Sequence, residues 1–394
     1  MKRSVFVLLS LWSGFMYAQK PVTVYSIAKE MHEVSWYEEQ QRLWKEEIRK
    51  NKSDANAWYN YYYATRGLKN LVFSESNREK QQQLRNKYTE ECKKIVEDTY
   101  KAVPNSFEAN HMKFLDSGND PASYKYLDKA VQINPNDARA FSDMMIRYQL
   151  EQDEKAFSEY CSKMYKANEL PASILNWGYN LLSELDQNAV VFTAGDNDTY
   201  AAWIVQQQKN FRKDVTVINT SLFMNDVYRD RLLSKLKLPV LSVSMDKRAE
   251  NKEIYDEQVK KIYAHLFKNT KNIPVYVAST AIFTFEAEKE VNDHLYMTGL
   301  AYKYSEQEFD NTAVIRRNIE KRYLLDYLKE YFSYNKMDAI ASQMDALYAN
   351  PLIKLYKMYE IEENESRKQE VYRMLTIIGK KAGIETEIMN LLDR

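Results

Sequence analysis

The chain has 394 residues with 56 basic and 56 acidic side chains; residues 1–18 hold two of the bases and no acid, which leaves 54 against 56, a formal charge of −2. That balance disfavours electrostatic capture by nucleic acid or anionic lipid. The 376 residues after position 18 exceed the size at which a single core stops growing, so two or more modules are expected.

Lys2 and Arg3 form a basic head, the run from Val5 through Phe15 is apolar, and Met16-Tyr17-Ala18 ends on the small residue that signal peptidase requires. The segment reads as an export signal cut after Ala18, so the expected location is periplasmic or otherwise exported. Its apolar run is shorter than the ~20 residues of a membrane-crossing helix. No later segment reaches that length without charges, so no membrane span is expected after cleavage. No cysteine follows the run, which argues against a lipid anchor. A buried N-terminal helix is the competing reading, and nothing amphipathic there favours it.

Next along the chain, Trp36, Leu43, Trp44 and Ile48 recur at the three-to-four spacing of an amphipathic helix. Asn51-Lys52-Ser53-Asp54 is a polar turn, and Asp54 is placed to cap the helix that opens at Ala55. The same grammar recurs around Pro104-Asn105 and Pro135-Asn136: a helix ends, a Pro-Asn turn breaks it, and an alanine-containing helix begins. Pro104, Pro135 and Pro171 are 31 and 36 residues apart, bracketing the ~34-residue period of tetratricopeptide repeats. The clearest unit carries Ala138, Phe141, Met145 and Tyr148 on one helix and Ala156, Cys161 and Met164 on the next. It resembles a degenerate tetratricopeptide repeat, which would stack on its neighbours into a curved array; a plain helical bundle is the alternative. The 31 tyrosines against 8 glycines and 8 prolines fit short loops and helix pairs packed by flat rings, although tyrosine-rich faces also bind glycans and proteins. Cys92 and Cys161, the only cysteines, both lie in helical patterns, as two buried thiols or as one disulfide.

The period changes at residue 189. Short runs rich in β-branched and aromatic residues at 189–193, 215–219, 239–243 and 274–278 predict strands. Helical stretches at 200–209, 227–236 and 250–268 separate them. Alternation of this kind implies a small, open, mostly parallel sheet with right-handed crossovers. Residues 296–304 predict a further edge strand. From Asn311 the pattern is helical again, through Tyr323, Leu324, Leu325, Tyr327 and Leu328 and then Met337, Ile340, Met344 and Leu347. The expected fold is thus mixed α and α/β: a signal at 1–18, a helical tetratricopeptide-like region at 19–186, an α/β module at 187–306 and a helical C-terminal region at 307–394.

One loop could carry chemistry. Gly195-Asp196-Asn197-Asp198-Thr199 follows the first predicted strand and precedes a helix, the place where open α/β sheets bind ligands. Asp196, Asn197, Asp198 and Thr199, joined by Asn219 from the end of the second strand and by Asp226 beyond it, could hold a hard cation or sugar hydroxyls. The alternative is structural: Asp198 or Thr199 caps the helix, Gly195 permits the turn, and the helix dipole stabilises Asp196. No catalytic residue, metal set or cofactor is assigned. His32, His111, His265 and His294 stand apart without metal-ligand spacing. Phosphate-loop, nucleophile-elbow and zinc-protease signatures are missing from the sequence. Glu286, Glu288 and Glu290 read as a solvated face, and the bases at Arg78, Lys80, Arg316 and Arg317 are balanced by nearby acids.

Residues 189–236, with Val190-Val191-Phe192-Thr193-Ala194-Gly195-Asp196-Asn197-Asp198-Thr199-Tyr200 and Asp214-Val215-Thr216-Val217-Ile218-Asn219, resemble the soluble C-terminal region of Bacteroidetes membrane proteins of O-mannosyltransferase-like type, a domain of unknown function. Pro274-Val275-Tyr276 and Leu295-Tyr296-Met297-Thr298-Gly299-Leu300-Ala301-Tyr302 are similar to later parts of that region. The resemblance covers about a third of the chain and implies a periplasmic setting in such a bacterium. It implies no activity, since glycosyl transfer in that family is expected in the membrane half. The expected function is a non-catalytic envelope interaction or scaffold protein, with a protein partner held by the helical repeats. The alternative is a glycan-binding protein or enzyme of envelope glycan metabolism using the 195–199 loop.

Overall fold

In the computed structural model, which describes residues 20–118, 120–242, 245, 252–270, 272–285, 289–333 and 337–393, helices begin where short polar side chains meet amphipathic runs. The export segment 1–18 and the acids Glu286 and Glu288 lie outside the described residues. Contacts divide the described residues into two compact units, one built on His32–Ile133 with residues 20–27, the other on Ala28–Met31 with the residues from Asn134 onward.

The first unit is helical: α1 (Val34–Lys50), α2 (Ala55–Leu71), α3 (Arg78–Ala102), α4 (Phe107–Leu115) and α5 (Tyr124–Ile133). Asp54, Asn77 and Ser106 accept the amides of Ala57, Lys80 and Ala109 at 3.0, 2.9 and 3.1 Å, which fixes where α2, α3 and α4 start. Each such cap contributes ~1 kcal/mol. The core packs Tyr37, Trp44, Tyr62, Leu68, Cys92 and Ile95 between α1, α2 and α3. Gly67 lets α2 approach the Tyr37 ring; a Cβ there would lie 2.4 Å from it. An extended segment closes this core, with the Val24 amide donating to Asn60 at 2.7 Å and the Trp44 indole to the Val22 carbonyl at 2.9 Å.

The second unit opens with α6 (Phe141–Glu151), α7 (Glu154–Lys166) and α8 (Ala172–Glu184). The α/β part follows as β1 (Val190–Thr193), α9 (Asp196–Lys209), β2 (Thr216–Asn219), α10 (Asp226–Lys235), α11 (Lys252–Asn269), β3 (Val275–Ala278), α12 (Lys289–Asn292), β4 (Leu295–Met297) and β5 (Ala301–Tyr304). Strand order is β2-β1-β3-β5-β4: the first three are parallel, with Val191 opposite Val217 and Tyr276, and β5 and β4 add an antiparallel hairpin. Side-chain alternation gives the central strands two buried faces. Phe192, Ile218, Val275 and Val277 pack with Leu232 of α10 and Tyr263, Leu266 and Phe267 of α11. Trp203 of α9 donates to the Val217 carbonyl at 3.4 Å. α8 lies against α9 at Gly178, where a Cβ would fall 2.7 Å from the Ala201 carbonyl carbon.

Helices then return as α13 (Asn311–Arg317), α14 (Asp338–Ala346), α15 (Ala349–Ile361), α16 (Glu365–Ala382) and α17 (Glu385–Leu392). The fold is mixed, helical and α/β, with a five-stranded sheet. Among the described residues no helix is long and apolar enough to cross a membrane. Cys92 and Cys161 are free and buried, and burial pushes the Cys92 thiol up to about 12.

Three local expectations differ. Residues 239–242 form no strand: Pro239 has no amide to donate, its carbonyl lies 2.7 Å from His265 Nε2, and β3 takes the place beside β1. The single strand expected at 296–304 is a hairpin that turns at Thr298-Gly299-Leu300. Residues 323–325 leave the helix because Asn180 holds both sides of Leu324, accepting its amide at 2.7 Å and donating to its carbonyl at 3.1 Å.

Candidate functional site

The carboxyl ends of β1, β2 and β3 bring three polar turns together. α9 begins at Asp196, with Gly195 before it making no side-chain cap. Asp198, in the first turn, reaches back: Oδ2 accepts the Ala194 amide at 3.0 Å and Oδ1 the Thr199 amide at 2.8 Å. Thr280, in the turn after β3, donates its hydroxyl to the same Oδ2. The Asp198 side chain is thereby enclosed, the residue being 2 % exposed. Desolvation pushes its carboxyl above the usual carboxylate range, against the pull of the Thr280 hydroxyl and the loop amides.

Thr199 and Asn219 complete the cluster. The Thr199 hydroxyl donates to the Gly195 carbonyl at 2.6 Å and lies 2.7 Å from the Thr193 hydroxyl. Asn219 Nδ2 donates to the carbonyls of Ala194 and Gly195 and to the Thr199 hydroxyl at 3.3, 3.2 and 3.1 Å. Its Oδ1 accepts the amides of Ser221 and Leu222 at 2.9 and 3.1 Å, which turns the chain after β2. Asn219 therefore ties the β1 and β2 turns, as Asp198 ties the β1 and β3 turns.

The other candidates are engaged elsewhere. Asn197 donates to the Ala28 carbonyl at 2.9 Å. Asp196 is exposed and bonded to the Tyr200 hydroxyl. Asp226 pairs with the buried Arg229 at 2.8 Å and accepts the Met245 amide at 3.0 Å. The structure thus joins Asp198, Thr199 and Asn219 and adds Thr193 and Thr280, which the sequence reading left out. The signal for Thr280 was its place just after a predicted strand, the same position that singled out the 195–199 loop. Both Asp198 oxygens accept donors inside the fold, so the enclosed carboxyl serves the strand-end turns. What faces outward is Gly195, Asp196 and Ser221.

The histidines stay separate: His32 stacks on Trp36, His111 lies 2.9 Å from the Tyr59 hydroxyl, His265 meets Pro239, and His294 meets the edge of Tyr304. Among the described residues no group of three or more His, Cys, Asp or Glu is placed to hold a metal ion. Away from the sheet, a cavity of about 340 Å³ opens among Ile319, Tyr323, Leu325, Leu355, Val371 and Met374. The charges beside it are paired, Lys329 with Glu370 at 2.9 Å.

Residues 174–361, from within α8 to the end of α15, match the family model of TMEM260-associated domain 2. The matched stretch contains the whole polar cluster and the β4–β5 hairpin. No curated protein matches the chain.

Proposed function

We propose that this chain is a non-catalytic interaction protein of the bacterial envelope, exported by residues 1–18 to the periplasmic side of a Bacteroidetes-type cell. Its helix pairs act as a tetratricopeptide-like array for a protein partner, and the α/β part is a structural module. The observation that carries this reading is the enclosure of Asp198: the most conspicuous polar loop is used to fasten three strand ends. A module whose central acid is locked by its own amides is built to hold shape. The match of residues 174–361 to TMEM260-associated domain 2 agrees with the resemblance of this region to the C-terminal part of O-mannosyltransferase-like proteins.

A second reading, a glycan-binding protein or an enzyme of envelope glycan metabolism, is favoured by one observation: Gly195 and Asp196 at the start of α9 and Ser221 in the turn after β2 are exposed beyond the strand ends. Thermal melts of wild type and Asp196→Asn with calcium, magnesium and envelope sugars separate the two. A wild-type melting temperature unmoved by every ligand agrees with the interaction protein. A shift present in wild type and lost in Asp196→Asn would replace it with the second reading. Export is checked by sequencing protein purified from the native host, which should begin at Gln19; Met1 retained on cytoplasmic protein would refute it. Cross-linking in the intact envelope should then trap a protein partner on α1–α8.

A further inference from the structure

Glu184 ends α8 with its side chain inside the second unit, 1 % exposed. Its Oε2 accepts the Tyr323 hydroxyl and, at 3.2 Å, the Leu300 amide, and that amide also lies 3.0 Å from the Tyr323 oxygen. Among the described residues Oε1 has no hydrogen-bond partner, while the Ala301 amide adds its pull on the carboxyl. The hairpin turn is pressed onto this pair at Gly299, whose φ is +153° and where a Cβ would fall 2.0 Å from the Tyr323 hydroxyl and 2.3 Å from Glu184 Oε2. One acid therefore joins α8, the β4–β5 turn and the segment that follows α13.

Among the described residues no cation pairs with it, and Arg322 acts on it only through space. Arg322, one residue before Tyr323, directs its guanidinium to the carbonyls of Ser183 and Glu184 at 3.1 and 3.0 Å. Lys303 of β5 is paired with Asp186 at 2.6 Å, and Asp186 also bonds the Tyr276 hydroxyl of β3. Tyr348, between α14 and α15, is a buried phenol whose hydroxyl accepts from Asn180 at 2.8 Å. Ionisation strengthens the bonds from Tyr323 and Leu300 but leaves a carboxylate without a paired cation in this interior, whereas the protonated acid needs no counter-ion.

We propose that Glu184 is a proton-operated latch: as a neutral acid it stays buried and holds α8, the β4–β5 turn and Tyr323 together, and loss of the proton draws the uncompensated carboxylate toward water, which opens the turn and reshapes the cavity that Tyr323 lines. Burial pushes this carboxyl up to about 8, with the bonds from Tyr323, Leu300 and Ala301 and the charge of Arg322 pulling the other way. Because the folded value lies above the solvated 4.5, the stabilisation is complete below pH 4.5 and is lost as pH rises through 8. The latch works close to neutral pH, where an ordinary glutamate no longer titrates.

Hydrogen exchange of the 295–304 amides tests this in the full chain, read as the ratio of wild type to Glu184→Gln at each pH so that the intrinsic pH dependence cancels. Glutamine has the shape of the neutral acid and no proton to lose. The ratio should climb ~50-fold from pH 6 to pH 8 and flatten above that. A ratio independent of pH would overturn the latch. If Glu184→Gln does not fold, carboxyl NMR of the wild-type Glu184 and of Tyr323→Phe serves instead. The wild-type midpoint should fall near 8, and loss of the phenol should move it up. A wild-type midpoint below 6, or one that Tyr323→Phe leaves unmoved, would overturn the proposal.

Discussion

Replacing Asp198 by alanine separates a structural cluster from a simple helix cap. A solvent-exposed cap is worth ~1 kcal/mol. Asp198→Ala removes the acceptor from the Ala194 amide, the Thr199 amide and the Thr280 hydroxyl, inside a side-chain site that is 2 % exposed. Each buried donor left unpaired costs ~1–3 kcal/mol, which bounds the loss from above. Removing a desolvated carboxylate offsets part of it, and Ala194 and Thr280 are only half-buried, so their donors recover some water. The net cost should be about 3 kcal/mol, measured by urea unfolding followed through Trp177 and Trp203 fluorescence. Thr280→Val in a double-mutant cycle should show a coupling of ~1.5 kcal/mol with Asp198, as expected for a bond to a charged acceptor. The pH dependence carries its own sign. The folded carboxyl titrates above its unfolded value of 3.8, so its contribution is complete below 3.8 and is lost as pH rises through the folded value. Wild type should therefore gain on Asp198→Asn as pH falls from neutral towards 4. A loss under 1 kcal/mol for Asp198→Ala, or no coupling to Thr280, would refute the cluster as the fastener of the strand ends.

Further substitutions test the packing. Gly299→Ala combines a positive φ with contacts of 2.0 and 2.3 Å to Tyr323 and Glu184, and should cost at least ~3 kcal/mol in the same unfolding assay. Lys381→Met leaves the buried Asp345, its partner at 2.8 Å, without a cation and should cost ~3–5 kcal/mol; adding Asp345→Leu should recover most of that, and failure to recover would mean the pair is not the source of the loss. Gly178→Ala forces α8 off the α9 backbone, where the nearest atoms are 2.7–2.9 Å away, and should lower the melting temperature by several degrees, whereas Gly195→Ala, whose nearest contact is 3.2 Å, should change it little.

The sequence revealed elements whose side chains alone set their form. The β-branched runs around Val191, Val217 and Val275 became the three parallel strands, and Asp54 capped α2 as its position implied. It was less informative where a distant group decides. Leu324 carries helix-forming neighbours, yet Asn180, 144 residues earlier, holds its peptide out of the helix. α9 starts at Asp196, four residues before the apolar pattern begins at Tyr200, because Asp198 gathers the amides around the turn. Half of the candidate site was legible for the same reason: Asp198, Thr199 and Asn219 lie within two strand-end turns. Thr280 is 82 residues from Asp198, and the buried Arg229 that holds Asp226 reads in sequence as one more surface base.

The short stretch Ala28–Met31 belongs with the second unit although the residues on either side of it belong with the first. Its carbonyl at Ala28 meets Asn197, 169 residues later, and Lys29 pairs with Glu169, 140 residues later. During synthesis this stretch leaves the ribosome long before either partner exists. At ~5–20 residues per second it waits on the order of ten seconds for them. The second unit is therefore not inherited as one continuous stretch of gene. A transplant of residues 134–394 would carry the sheet and its polar cluster, but not Ala28, whose carbonyl meets the Asn197 side-chain amide, nor Lys29, the partner of Glu169.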